Sequence, residues 1–429
     1  MSPGDSSNKE ISASIWKFIP LDQYVKPQAP AKETIRTGLS GLKEWLRRSP
    51  KPSEPLVVQT ELDWVPQFLL DQAAPAPDWQ EAAPALTTAL DKWLAAGQPE
   101  PAGQVVVGAP YSGIAQIISH WAQTVGWRLV DPPSADQILA ADPEWLTPLL
   151  KTDEVPLVIP HLEHCYLRHY DGLALIHHLL NGLSGRRRHY LIGCDSWAWA
   201  YLSKTINIES FFPLPLTLGA FGYEQLGYWF HDLAGRGRGP GFVFRQADYG
   251  RPVLPPFKNN SASEGGPSGE PKSIDRDNEE YKKVTEFLSY LASFSFGIPG
   301  IAWTGWRYSL RLAPEAEFKD IAPESSPGEA KRTIWVKPWS QLNFPALPTQ
   351  TERSRLIFIL QMLLLHNGLT APLLSELLPF PASEVGQSLY ALDHFGLVDA
   401  EQGIWRVTPL AYPTVRRFLE GEGYLVAAI

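Results

Sequence analysis

Between residues 104 and 250, short apolar runs alternate with amphipathic helical patterns. "QVVVGA", "WRLVDPP", "VPLVIP" and "RHYLIGCD" have the composition of strands. "SGIAQIISHWAQTVG", "SADQILA", "DGLALIHHLLNGL" and "SWAWAYLSKT" have helical spacing and follow them in turn. A strand that is apolar at nearly every position is covered on both faces. Strands separated by helices run parallel, because the crossover returns the chain to the same end of the sheet. The pattern predicts an α/β domain with a parallel, doubly wound sheet. "FVFRQA" is expected to close it.

Other segments are organised differently. Residues 1–30 contain "VKPQAPAKE" and several small polar residues, and are expected to be disordered or only docked. Residues 31–103 read as a helical N-terminal extension. It begins with "KETIRTGLSGLKEWLRRS", whose apolar side is Ile35, Leu39, Leu42 and Leu46 and whose end carries Lys43, Arg47, Arg48 and Lys51. Such a helix packs on its own domain with a basic side in solvent, or docks peripherally on a membrane or an acidic partner. Residues 251–278 are rich in Pro, Gly, Ser and Asn and form a flexible linker. Residues 279–330 are largely helical. In residues 331–429, "TERSRLIFILQMLLLHNG", "TAPLLSELL" with Thr370 as N-cap, and "PASEVGQSLYALDHFG" ending at Gly396 predict three helices. "LVDAEQGIWRVTP" predicts a hairpin turning at Gln402-Gly403, so this segment is expected to be a winged-helix domain.

Composition excludes several function classes. The formal net charge of -9 gives no general attraction to nucleic acid or anionic membrane. Two cysteines, Cys165 and Cys194, make no disulfide framework. "MSPGDSSNKEISAS" lacks a signal-peptide core, and "LIFILQMLLL" is about half a membrane span. These features predict a soluble, cytoplasmic protein. The 16 tryptophans are scattered through helical patterns, which assigns them to packing.

The first strand runs into "GAPYSGIAQ". A phosphate-binding loop has the pattern G-x-x-x-x-G-K-[ST] between a strand and a helix. Its glycines turn backbone N–H groups onto phosphate, and the helix N-terminus adds its dipole. Gly108 and Gly113 keep the spacing; Ile114 and Ala115 stand where lysine and the hydroxyl residue belong.

With this loop, residues 104–312 resemble the P-loop NTPases of the AAA+ and STAND type, many of which carry a C-terminal winged helix. The resemblance implies a Walker B acid at the end of "VPLVIPHLE", where Pro160 and His161 stand and the nearest acid is Glu163. It implies a polar sensor at the next strand end, where Cys194, Asp195 and Ser196 lie. It also implies a lid in "FGIPGIAWTGWRYSLR", with Arg307 or Arg311 as a sensing arginine. The nucleotide-site positions are then Gly108, Tyr111, Ser112, Gly113, Ile114, Ala115, Asp195 and Arg307. Loss of the lysine and both magnesium ligands removes what phosphoryl transfer requires. No catalytic residue is therefore expected, and ATP or ADP would be held weakly if at all.

The remaining constellations carry less. Six of the ten histidines, His161, His164, His169, His177, His178 and His189, cluster in sequence. They lack the H-E-x-x-H spacing that puts two rings on one helix face, so no metal site is expected. Arg186–Arg188 and Arg236 with Arg238 read as solvated loops. "PASEVGQSLYALDHFG" contains Glu384 and Asp393 and no Lys or Arg, which disfavours duplex binding. The reading is a catalytically degenerate AAA+-like scaffold or regulator acting through protein contacts, with the oligomeric state open. A residual nucleotide switch and a winged-helix DNA-binding regulator are its alternatives.

Overall fold

The computed structural model describes residues 15–29, 62–95, 101–151, 155–184, 186, 188–236, 241–254, 279–313, 332–348, 352–427 and 429. The amphipathic basic segment at 32–49 and most of the 251–278 linker lie outside them. Along the chain, β1 (Phe18–Pro20) and β2 (Asp63–Trp64) precede α1 (Gln67–Ala73) and α2 (Ala83–Leu94). The alternating region comprises β3 (Gly103–Gly108), α3 (Ile114–Val125), β4 (Arg128–Leu129), α4 (Ala135–Leu139), α5 (Pro143–Leu150), β5 (Leu157–Ile159), α6 (Ala174–Ser184), β6 (Tyr190–Asp195), α7 (Ser196–Thr205), β7 (Leu216–Leu218) and α8 (Tyr223–Gly235).

The central sheet has the order β1-β7-β3-β6-β5-β4. Strands β3 to β7 run parallel, and β1 adds an antiparallel edge with Phe18 opposite Leu218. The chain is therefore mixed α/β with a parallel-rich sheet. Alternation along each strand divides the core between two faces. Val106, Val158 and Leu191 pack with Ile117, Ile118 and Trp121 of α3; Val105, Val107, Ile159 and Ile192 pack under α6 and α7. From β3 the chain travels to the far edge at β4, returns through β5 and β6, and then crosses to β7 on the other side of β3. Such a reversal opens a crevice at the carboxyl end of the strands, where the Gly108–Gly113 loop leaves β3.

A second sheet combines β2 with β8 (Phe242–Gln246), β9 (Leu310–Leu312) and β10 (Arg332–Val336), in the order β2-β9-β10-β8. Between β8 and β9, α9 (Glu279–Phe294) and α10 (Pro299–Ser309) form a helix pair. Two expectations are corrected here. The "FVFRQA" strand does not close the central sheet, because β8 pairs in parallel with β10. Residues 332–336, which the sequence bounds put at the start of the 331–429 winged-helix segment, form β10 of this second sheet instead. Within residues 1–30, the described stretch 15–29 is in place: Trp16 is buried against Trp79, Phe221 and Trp229, and β1 pairs with β7.

The C-terminal segment comprises α11 (Arg353–Leu365), β11 (Leu369–Thr370), α12 (Ala371–Leu377), α13 (Ala382–His394), β12 (Val398–Glu401), β13 (Ile404–Val407) and α14 (Tyr412–Gly421). Thr370 caps α12 by accepting from the Leu373 N–H, and Gln402 and Gly403 take φ of 53° and 81° in the hairpin turn. The apolar run of α11 is buried on nearly every side because neighbours cover it all round: α7 of the α/β region, α13, α14 and β13. This makes one core of the two regions. Polar clasps fix it: Tyr166 Oη donates to the Leu365 carbonyl (3.0 Å), Arg168 to Gln361 Oε1 (3.0 Å) and Trp197 Nε1 to Tyr412 Oη (3.0 Å).

Tyr412→Phe leaves the buried Trp197 N–H without its acceptor. The expected loss is about 1–3 kcal/mol, the cost of one orphaned buried donor. Urea unfolding followed by tryptophan fluorescence and by circular dichroism checks it. The two signals should shift together, because the core is shared.

Candidate functional site

The loop between β3 and α3 is held in a strained shape. Tyr111 takes φ of 66° and Gly113 φ of 76°. A left-handed non-glycine residue costs on the order of 1–3 kcal/mol and persists only where its surroundings over-determine it. For Tyr111 they do. Its carbonyl accepts from the Gly300 N–H of α10 (3.1 Å), its phenol donates to the Val407 carbonyl of β13, and the ring is half-buried between them. The Ser112 N–H turns back to the Ala109 carbonyl (3.1 Å). A Cβ on Gly113 would stand 2.3 Å from Trp79, so only glycine fits there on both counts.

Inside the loop the space is taken by its own side chains. A Cβ on Gly108 would meet Ile114 Cγ1 at 2.4 Å and Ser112 Oγ at 2.6 Å. Ile114 is buried among Ile117, Ile118 and Trp121. The residue at the lysine position thus points into the core, and the loop carries no cation of its own.

Above the loop lies a cleft of about 610 Å³. Its floor is the Gly108–Gln116 segment. One wall is Pro160, His161, Glu163 and His164 after β5, with Cys194 and Asp195 at the end of β6. The other walls are Trp79, Trp303 with Thr304 of α10, and Asn367, Arg406 and Pro409 of the C-terminal segment. The cleft gathers Gly108, Tyr111, Ser112, Gly113, Ile114, Ala115 and Asp195 in one place. Arg307 does not reach it: its guanidinium donates to Asp71 (2.7 Å) and the Ala74 carbonyl (2.6 Å) and lies against Trp303. Arg311 is also turned away, 3.5 Å above the Trp64 ring. Among the described lining residues the one Lys or Arg is Arg406, whose Nε donates to the Asn367 carbonyl (3.1 Å).

The β5 wall is a compact polar cluster. His161 Nδ1 and Glu163 Oε1 are 2.8 Å apart, and Glu163 Oε2 accepts from the Asp195 N–H (3.0 Å). The Asp195 carboxylate in turn caps α7 through the Trp197 N–H (2.8 Å). Burial alone would raise the Glu163 carboxyl; the hydrogen bond from His161 and the charges of His164 and His161 outweigh it and hold it below its ordinary value. Burial and the neighbouring Glu163 push Asp195 well above its ordinary value. Burial also lowers His164, and it drives the His366 ring, packed against Tyr166, down to about 4. Burial raises both thiols, which stay protonated and act as small apolar packing. The sequence suggested neither Arg406 nor the Trp79 and Trp303 walls, since each comes from an element distant in the chain. Of the two basic runs, Arg188 is buried and donates to the Leu149 carbonyl, and Arg236 pairs with Glu81 and Asp232; Arg187 and Arg238 lie outside the described residues.

No family model and no curated protein matches the chain. Among solved structures it is similar to the Aeropyrum pernix ORC2 protein in its ADPNP-ADP complexes. The identity is 14% and the TM-score 0.34, over 82% of this chain and 96% of that one. The ADP form of the same protein gives 14% identity and a TM-score of 0.24, over 94% and 97% of the two chains. Similarity at this level assigns neither a family nor an activity. No helix among the described residues is long and apolar enough to cross a membrane.

His366 supplies a pH dependence. Its folded value of about 4 lies below the ordinary value of 6.5, so the unfolded chain takes up the proton first. Stability is complete above about 6.5 and is lost as pH falls from there towards 4, by at most about 3 kcal/mol for this ring. In His366→Gln, the loss of urea-unfolding free energy between pH 7 and pH 5 should be smaller than in the unaltered chain.

Proposed function

We propose that this chain is an AAA+-like P-loop protein that performs no magnesium-dependent phosphoryl transfer and acts as a scaffold or regulator through contacts with other proteins. The α/β region with its loop at the switch point supports the P-loop part of this reading. The helix pair α9–α10 stands as the lid, and the C-terminal segment as a winged helix seated against the cleft.

The observation that carries the proposal is the inside of the loop. Ile114 is buried beside Gly108, and Ala115 and Pro160 occupy the two positions that would ligate magnesium. Losing the lysine alone removes a charge-assisted hydrogen bond worth roughly 1.5–3 kcal/mol. Magnesium takes octahedral oxygen ligands, and the side chains clustered after β5 are two imidazoles and one carboxylate, a donor set for a softer ion. These residues do not fit that ion, so no hydrolytic step is assigned to the site.

A second reading has one observation in its favour. The first-turn N–H groups of α3 border the cleft, and Arg406 lines it from the C-terminal segment. That arrangement suits an anion, so ADP or ATP held without turnover is the alternative. Duplex binding through the winged helix is disfavoured: α13 carries Glu384, which pairs with Arg355, and Arg416 is buried against the Ala427 and Ile429 carbonyls.

Isothermal titration with Mg-ATP and Mg-ADP, together with a phosphate-release assay, tests the proposal. The expected result is no binding at micromolar nucleotide and no release above the buffer rate. Binding without release would favour the second reading. Micromolar binding with steady release would contradict both.

A further inference from the structure

We propose that His161, Glu163 and His164 form a binding site for a divalent transition cation of the zinc class. One ligand atom from each of the three residues lies within 4.8 Å of the others. Their approach follows from local geometry. His161 is the N-cap of a one-turn 3₁₀ helix over Leu162–His164. Three residues per turn eclipse positions i and i+3, which stacks the two imidazoles at 4.9 Å with 15° between their planes. The same turn directs Glu163 inward, where its side chain is 4% exposed.

The donor set and its surroundings suit such an ion. Two imidazole nitrogens and one carboxylate oxygen are the ligands of a three-residue zinc site that keeps one coordination position open. The three residues line the cleft together with Arg406 and the start of α3, so water or an anion could reach an ion held there. Ligand atoms of a tetrahedral zinc stand about 3.3 Å apart, given bonds near 2.0 Å. Closing from 4.8 Å asks for a movement of the half-exposed His161 ring, in which the ion takes the place of the proton shared between His161 Nδ1 and Glu163 Oε1 (2.8 Å). Outer partners already orient the carboxylate: the Asp195 N–H holds Oε2, and the Trp197 N–H holds Asp195.

Full-length protein stripped with chelator and titrated with Co²⁺ reports the site directly, because nitrogen- and oxygen-bound tetrahedral Co²⁺ absorbs in the visible. The expected result is one Co²⁺ per chain, displaced by Zn²⁺. His161→Ala and His164→Ala should each weaken binding by at least about tenfold and lose the visible band. His178→Ala, at an exposed ring on α6, should change neither. Circular dichroism and melting temperature show that each variant is folded, and His161 carries the test if His164→Ala is not. No stoichiometric Co²⁺ or Zn²⁺ binding, or equal binding by His161→Ala and the unaltered chain, would overturn the proposal. Neither readout passes through nucleotide, so the non-hydrolytic reading can fail without it, and it without that reading.

Discussion

Tyr111 is where three parts of the molecule meet. Its backbone belongs to the loop at the end of β3, its carbonyl holds the first turn of α10, and its phenol holds β13. A left-handed tyrosine is unfavourable in isolation, so these bonds and the packing around them must supply its stability. The consequence is mutual. The loop keeps its shape because the helix pair and the C-terminal segment are in place, and they are placed in part by the loop. Burial raises the phenol well above its ordinary value, consistent with a hydroxyl kept as a donor. A phosphate loop has to leave its amides and its interior to a ligand. This loop packs Ser112 and Ile114 close against Gly108 and gives one carbonyl to a neighbouring helix.

Charge follows the same division. The ends of β5 and β6 present two imidazoles and two buried carboxyl groups. The positive charge of the cleft comes instead from Arg406, across the junction with the C-terminal segment. A ligand that reaches Arg406 therefore touches both regions at once. Because α11 and its neighbours share a core with the α/β region, the contact bears on how tightly the two are held together.

Much of the fold was legible because its signals are local. "QVVVGA" and "RHYLIGCD" are apolar at nearly every position and become the buried strands β3 and β6. Thr370, Gly396 and Gly403 mark their helix ends and turn by chemistry that acts within a few residues. What was misplaced depends on pairing between distant segments. β8 is a strand as expected, yet nothing in "FVFRQA" says that its partner is β10. β1 is three residues long and exists through its pairing with β7.

The cleft divides in the same way. The Gly108–Ala115 positions and Asp195 are close to one another because the parallel sheet aligns the ends of β3 and β6. Arg307 lies near them in the chain's logic, but Asp71 and the Ala74 carbonyl draw it to the other side of α10. "HLEHC" places His161, Glu163 and His164 close in sequence without the H-E-x-x-H spacing of a helical site; a 3₁₀ turn brings their ligand atoms together instead. Hydrogen–deuterium exchange of Tyr111→Ala against the unaltered chain measures the joint most directly. The account predicts faster exchange in three places: residues 108–113, the first turn of α10, and β13. Faster exchange confined to residues 108–113, with α10 and β13 unchanged, would contradict it.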